Sequence, residues 1–176
     1  SYRMKYVPQG GNWRNVPSEL WDTQRDNRHS SAYRRLKEKD VSITIDTGHM
    51  NYFHPIYNRV PTVRESARIQ SFPDDFVFEG AKTTQYLQVG NAVPPLMAQA
   101  LGEAILKIIE KPKSEFKIID LFCGAGGFST GFEQEGFICE LALDKWDDAI
   151  KTFNVNHKKK CGISMDIYDY TDHHYD

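Results

Sequence analysis

Two rhythms of apolar and polar positions run along the chain. From residue 116 onward the spacing alternates between strand and helix. Phe116–Phe122 (FKIIDLF) is a short, nearly continuous apolar run, the pattern of a strand covered on both faces of a parallel sheet. It empties into Gly124, Gly126 and Gly127. Phe128 and Phe132, four apart, then share one face of a helix that Gly136 stops. A second apolar run, Phe137–Leu143, delivers Asp144 at its end, and Trp146, Ala149, Ile150 and Phe153 recur at helical spacing. Upstream, Thr62 and Glu65 have the spacing of a capping box and open another helix, with Arg64 and Arg68 on one face and Val63 and Ala67 on another. Pro94-Pro95 suits a first helical turn, and Met97, Leu101, Ala104, Ile105 and Ile108 trace an apolar face behind it. Residues 1–58 are the least regular. Prolines 8 and 17 and Gly10-Gly11 mark turns, Val41–Ile45 alternates like a half-buried strand, and a loop-rich, partly β lobe is expected.

Strand, glycine turn, helix, strand and acidic residue form the layout of one nucleoside-binding half of a doubly wound α/β sheet. Glycines let a ligand approach the backbone there, and the carboxylate accepts both ribose hydroxyls. Asp144 stands at the position for that role, so the expected ligand contains a ribose. Ser129 occupies the place of the third glycine of the dinucleotide fingerprint, which argues against a nicotinamide cofactor.

Length narrows this further: 176 residues suffice for one core with an appended lobe. No apolar run is long enough to span a membrane and no signal-peptide pattern opens the chain, so an intracellular, cytoplasmic protein of bacterial type is expected. Cys123, Cys139 and Cys161 have no metal-ligand spacing, and reduced thiols are expected. The formal net charge of -2 is unevenly spread, with ten Lys/Arg against six Asp/Glu in residues 1–60. That basic bias suits phosphate contacts or a solvated surface.

The string Asp120-Leu121-Phe122-Cys123-Gly124-Ala125-Gly126-Gly127-Phe128-Ser129, followed by the Asp144 segment, resembles the S-adenosylmethionine motif of DNA (cytosine-5) methyltransferases. The resemblance implies a partial Rossmann-like sheet binding S-adenosyl-L-methionine through Phe122, Cys123, Gly124, Ala125, Gly126, Gly127, Phe128, Asp144, Lys145 and Trp146. Gln88-Val89-Gly90-Asn91-Ala92-Val93-Pro94-Pro95 is similar to the family's final motif, which implies that Asn91 and Val93 lie by the methionine end of the cofactor. Ser164-Met165-Asp166-Ile167 resembles the next cofactor segment, which would set Asp166 and Ile167 against the adenine; an unremarkable strand end is the other reading. TVRESARIQSFPDDFVF, residues 62–78, also matches a family block, and its arginines read first as structural ion pairs. VPQGGNWRNVP, Tyr33–Leu36 and His54-Pro55 are similar to the end of the target-recognition region. Arg34 and Arg35 there are candidates for contacts to double-stranded DNA, or simply solvated charges. The implied division is 1–58 for the end of the recognition region, 59–110 for C-terminal-type helices, 111–115 for a polar linker, and 116–176 for the cofactor-binding half.

In most members of the family the glycine motif comes first and the Gly-Asn-Ala-Val-Pro motif last, so the order here is permuted. The family's chemistry uses a thiolate from a Pro-Cys motif and a glutamate from Glu-Asn-Val. Neither string occurs in the chain. The catalytic cysteine is therefore expected in a further segment or a second chain, beginning near where these residues stop at Asp176, and the chain alone is expected to be inactive. His173 and His174 are too close together for a metal site. A non-catalytic DNA- or partner-binding module and an RNA cytosine methyltransferase are the alternatives.

Overall fold

The computed structural model describes residues 2–21, 33–47, 51–109 and 116–170. The expected linker at 111–115 and His173 and His174 lie outside the described residues. The architecture is mixed α/β with two small parallel sheets. Strands β1 (Arg34–Arg35) and β2 (Tyr52–Phe53) form one. Strands β3 (Lys117–Asp120), β4 (Ile138–Asp144) and β5 (Gly162–Ser164) form the other, in the order β3-β4-β5. The second sheet is the expected part of a Rossmann-like fold. Its register shifts between Ile118 and Ile119, leaving Glu140 as the extra residue of a bulge.

Helices α4 (Gly127–Gln134) and α5 (Asp147–Asn156) connect these strands. Ile118 packs against both the Phe132–Phe137 cluster of α4 and the Ile150–Phe153 cluster of α5, so both helices cover one face of the sheet. The Phe128 and Phe132 rings stack at 4.4 Å, as their spacing predicts. Gly136, at φ 92°, closes the turn after α4. The expectation that β3 is covered on both faces is not met. Among the described residues β3 is an edge strand, and Ile119, pointing away from the helices, is 49% exposed. Ile138 and Ile163 on that same outer face are also exposed.

Helix α1 (Val63–Ile69) starts at the anticipated capping box: Thr62 Oγ1 accepts from the Glu65 amide at 3.2 Å, and Glu65 Oε2 accepts from the Thr62 amide at 2.7 Å. Its arginines are structural, as expected. Arg68 pairs with Asp74 at 2.7 Å, and Arg64 donates to the carbonyls of Pro73 and Phe76. Phe72, Phe76 and Phe78 pack ring on ring beneath it.

Helices α2 (Lys82–Asn91) and α3 (Pro95–Ile108) follow, with Pro95 at the first helical position. The apolar face anticipated on α3 is not the buried one. Met97, Leu101, Ala104, Ile105 and Ile108 are exposed, and the helix buries Pro95, Ala98 and Gly102. The cause is the partner. α4 presents Gly127 and Gly131, where a β-carbon would collide with the carbonyls of Val93 and Pro95. The two backbones approach so closely that only small residues fit the seam, and the larger ones are turned outward.

The N-terminal lobe is loop-rich, with three short 3-10 turns and the β1–β2 pair. Val41–Ile45 forms no strand, contrary to its alternation. Ile43 and Ile45 point inward onto the Phe72–Phe78 core, but β2 is taken by β1 and the segment gains no ladder partner. Arg35, proposed from sequence as a DNA contact, is a correction: it is only 5% exposed. Its guanidinium donates to the carbonyls of Val7, Met4, His54 and Tyr57 and to Asn58 Oδ1, at 2.5–3.0 Å. All its donor directions serve the lobe itself.

Candidate functional site

The site lies where β3 ends. The chain leaves the strand, and Gly126 adopts φ 93°, a left-handed conformation open to glycine at little cost. A β-carbon there would strike His157 Nε2, since the imidazole packs directly under the turn. His157 is itself anchored, stacked on Phe153 at 3.9 Å and hydrogen-bonded through Nδ1 to Glu133 Oε2 at 2.8 Å. The opposite side of the turn is open. Nothing lies within 4 Å of where a β-carbon of Gly124 would stand.

The β-strand carrying Asp144 runs parallel to β3 and brings its carboxylate to the turn. Asp144 Oδ2 accepts from the Gly124 amide at 2.9 Å, and Oδ1 accepts from the Trp146 amide at 3.0 Å. One side chain thereby ties the ends of the two strands together. Asp120 faces the helix side, accepting from Ser129 Oγ at 2.7 Å, and burial raises its carboxyl above the usual range. Ser129, the residue that replaces the fingerprint's third glycine, thus satisfies a half-buried carboxylate.

A cleft of about 320 Å³ opens above this turn. Its walls hold Asn91 and Val93 from the α2–α3 junction, the Phe122–Ala125 segment, Gly127 and Phe128, and Asp144, Lys145 and Trp146. A second hollow of about 270 Å³ shares Phe122, Asp144 and Lys145 with the first and is bounded beyond them by Asp166 and Ile167. The two form a trough across the ends of β3 and β4. Of the cofactor residues expected from sequence, Gly126 alone lines neither hollow, because it faces His157 beneath the turn. Trp146 is not part of the packed face of α5 but precedes the helix and lines the trough. Asp166 caps a short 3-10 turn, accepting from the Tyr168 amide at 3.1 Å.

Sequence reasoning missed Gln88 and Ala92 in the first hollow and Leu121, Met165 and Tyr168 in the second. Gln88 was available within the Gln88–Pro95 string. Its position one turn before Asn91 puts both on the same face of α2.

Arg34, the other DNA-contact candidate, is half-buried and lines a separate polar hollow with Ser42, Asp46 and Asn51, outside the trough. Burial pushes the thiols of Cys123 and Cys139 far up, so neither is poised as a thiolate. Among the described residues no group of acidic, His and Cys side chains could hold a metal ion, and no helix is long and apolar enough to cross a membrane.

The chain is similar to a type II methyltransferase, M1.HphI of Haemophilus parahaemolyticus, with 45% identity over 106 residues that cover 60% of this chain and 28% of the relative. It is 59% identical over 63 residues to M.DdeI of Desulfomicrobium norvegicum, covering 31% of this chain and 15% of the relative. It is 36% identical over 121 residues to M.Eco47II of Escherichia coli, covering 61% and 28%. Each match spans less than a third of the relative's own length. The profile of the C-5 cytosine-specific DNA methylase family matches residues 4–107 and 116–175, which is most of the sequence, and the chain belongs to that family.

Proposed function

We propose that the chain is the S-adenosylmethionine-binding portion of a DNA cytosine-5 methyltransferase of the restriction-modification type, working in the bacterial cytoplasm. The observation that carries this reading is the Asp144–Gly124 hydrogen bond, which sets a carboxylate and an open glycine corner side by side at the ends of adjacent parallel strands. The trough there fits an elongated ligand with a ribose at its middle. Asp144 receives the sugar hydroxyls, and Asp166 and Ile167 border the adenine. Asn91 and Val93 flank the amino-acid end, while Gly124 leaves room for close approach. The bound cofactor supplies an electrophilic methyl group. The residues of this chain position it.

The thiol that attacks the base belongs to a segment outside these residues. In a doubly wound sheet the ligand crevice forms where strand order reverses, which requires strands on both sides of the first one. Here β4 and β5 both lie on one side of β3. We infer that the free edge of β3 receives a further parallel strand bearing the Pro-Cys motif, from a continuation of the chain or from a second subunit. The division at 1–58, 59–110 and 116–176 and the permuted order belong to the same proposal. They are supported by the packing of Leu106, near the end of α3, and Phe116, at the start of the cofactor half, against one cluster of Ala98, Phe132 and Phe137.

Isothermal titration with S-adenosylmethionine tests the reading. The parent chain is expected to bind and Asp144→Ala to lose at least tenfold in affinity. No heat of binding from the parent, or equal binding by both, overturns it. The chain alone should transfer no methyl group to a cytosine-containing duplex.

A further inference from the structure

Gln88 contains the one buried side-chain oxygen or nitrogen among the described residues with no hydrogen-bond partner. The residue is 1% exposed and sits on α2 in the wall of the first hollow. Its Nε2 donates to the carbonyl of Glu79 at 2.9 Å, and this bond determines which end of the amide is committed. Oε1 is the end left over, buried and unpartnered. An amide oxygen in that state costs about 1–3 kcal/mol of desolvation unless something donates to it, and such an oxygen in a cleft wall calls for a donor from a ligand or an ordered water.

The same hollow is bounded by the start of α4, where Gly127 and Phe128 are also wall residues. The first amides of a helix have no acceptor within it, and no side chain caps this one. They favour negative charge. The hollow therefore combines donors at the α4 terminus with an unpartnered acceptor on α2, the complement of a zwitterion. We propose that Gln88 Oε1 accepts a hydrogen bond from the α-ammonium group of the cofactor's amino-acid end, while the α4 amides face its carboxylate. Gln88 is thus a positioning and selectivity residue that distinguishes amino-bearing ligands from analogues lacking the amine. This rests on the cofactor reading above and adds one contact to it.

The test is a comparison of two ligands on the full chain by isothermal titration: S-adenosylmethionine and its des-amino analogue. The parent is expected to prefer the amino-bearing ligand by about tenfold or more, the range for a hydrogen bond to a charged group. Gln88→Leu should lower affinity for S-adenosylmethionine by about tenfold and leave the des-amino analogue nearly unchanged, removing the preference. A parent that binds both ligands equally overturns the assignment without recourse to any variant. So does a folded Gln88→Leu chain, checked by circular dichroism, that keeps the parent's preference. A parent that binds neither ligand overturns the cofactor reading itself, and this assignment with it.

Discussion

Residues 51–78 and the sheet at 116–164 use their side chains in opposite ways. In the first region almost every charge is consumed internally. Arg59 forks onto both oxygens of Glu65 at 2.7 Å, Arg64 closes on two carbonyls, and Arg68 pairs with Asp74. The phenylalanines beneath are buried. In the second region β3 leaves Ile119 and Phe122 in the open, the latter 75% exposed, and the trough beside it keeps an unpartnered Gln88 oxygen from the neighbouring helix. The contrast separates groups that hold the fold from groups held ready for something else. Polar residues with full sets of partners, even arginines in a lobe expected to meet DNA, are structural.

Substitutions at five positions sharpen this contrast. The largest expected effect is at Arg35. Arg35→Met strands five acceptors, of which the Met4 and Val7 carbonyls are in buried bonds, and should destabilise by about 4 kcal/mol in urea unfolding, and Arg35→Lys should recover little because an ammonium cannot fork. A chain that tolerates Arg35→Met and loses DNA affinity instead would restore the arginine to the DNA interface. Next is Gly126→Ala, which combines a left-handed backbone with a collision at His157. About 3 kcal/mol of stability should go, with cofactor binding.

Glu65 comes third. Hydrogen bonding from Arg59 lowers its carboxyl from 4.5 to about 2. A depressed folded-state value means that its stabilisation is present in full above pH 4.5 and drains away as pH falls toward 2. Glu65→Gln should cost about 1–2 kcal/mol at neutral pH. The gap between parent and variant should narrow in melts taken from pH 6 down to pH 2. A constant gap would show that the ion pair contributes nothing. The smallest effect is expected at Ile119, where Ile119→Ser should change stability by under about 0.5 kcal/mol. The neighbouring Ile118→Ala, packed between two helices, should cost about 3 kcal/mol. Similar losses at both positions would mean that the outer face of the sheet is already covered.

What the sequence disclosed was whatever adjacent residues decide among themselves. The Thr62–Glu65 box, Pro95 opening α3, and the strand–turn–strand that brings Asp144 to Gly124 are of this kind, since their partners lie in the same short segment or the same β-α-β unit. What it hid depends on distant partners. Alternation at Val41–Ile45 predicts which side chains point inward but cannot say that β1 has already claimed β2. The apolar stripe on α3 was legible, but which stripe is buried depends on two glycines of α4. Arg35 and Arg34 are neighbours of the same type, and only the fold turns the first inward to carbonyls and leaves the second beside a polar hollow. Gln88 stood in a recognised string, yet an unmet oxygen is a property of surroundings.

The seam between α3 and α4 has one more consequence. Gly131 lets the Ala98 side chain come so near that a methyl at 131 would sit 2.6 Å from it. The two halves of the molecule are thus clasped backbone to backbone, independently of the covalent connection between Ile109 and Phe116. A protease that nicked that connection would produce two peptides still travelling as one particle.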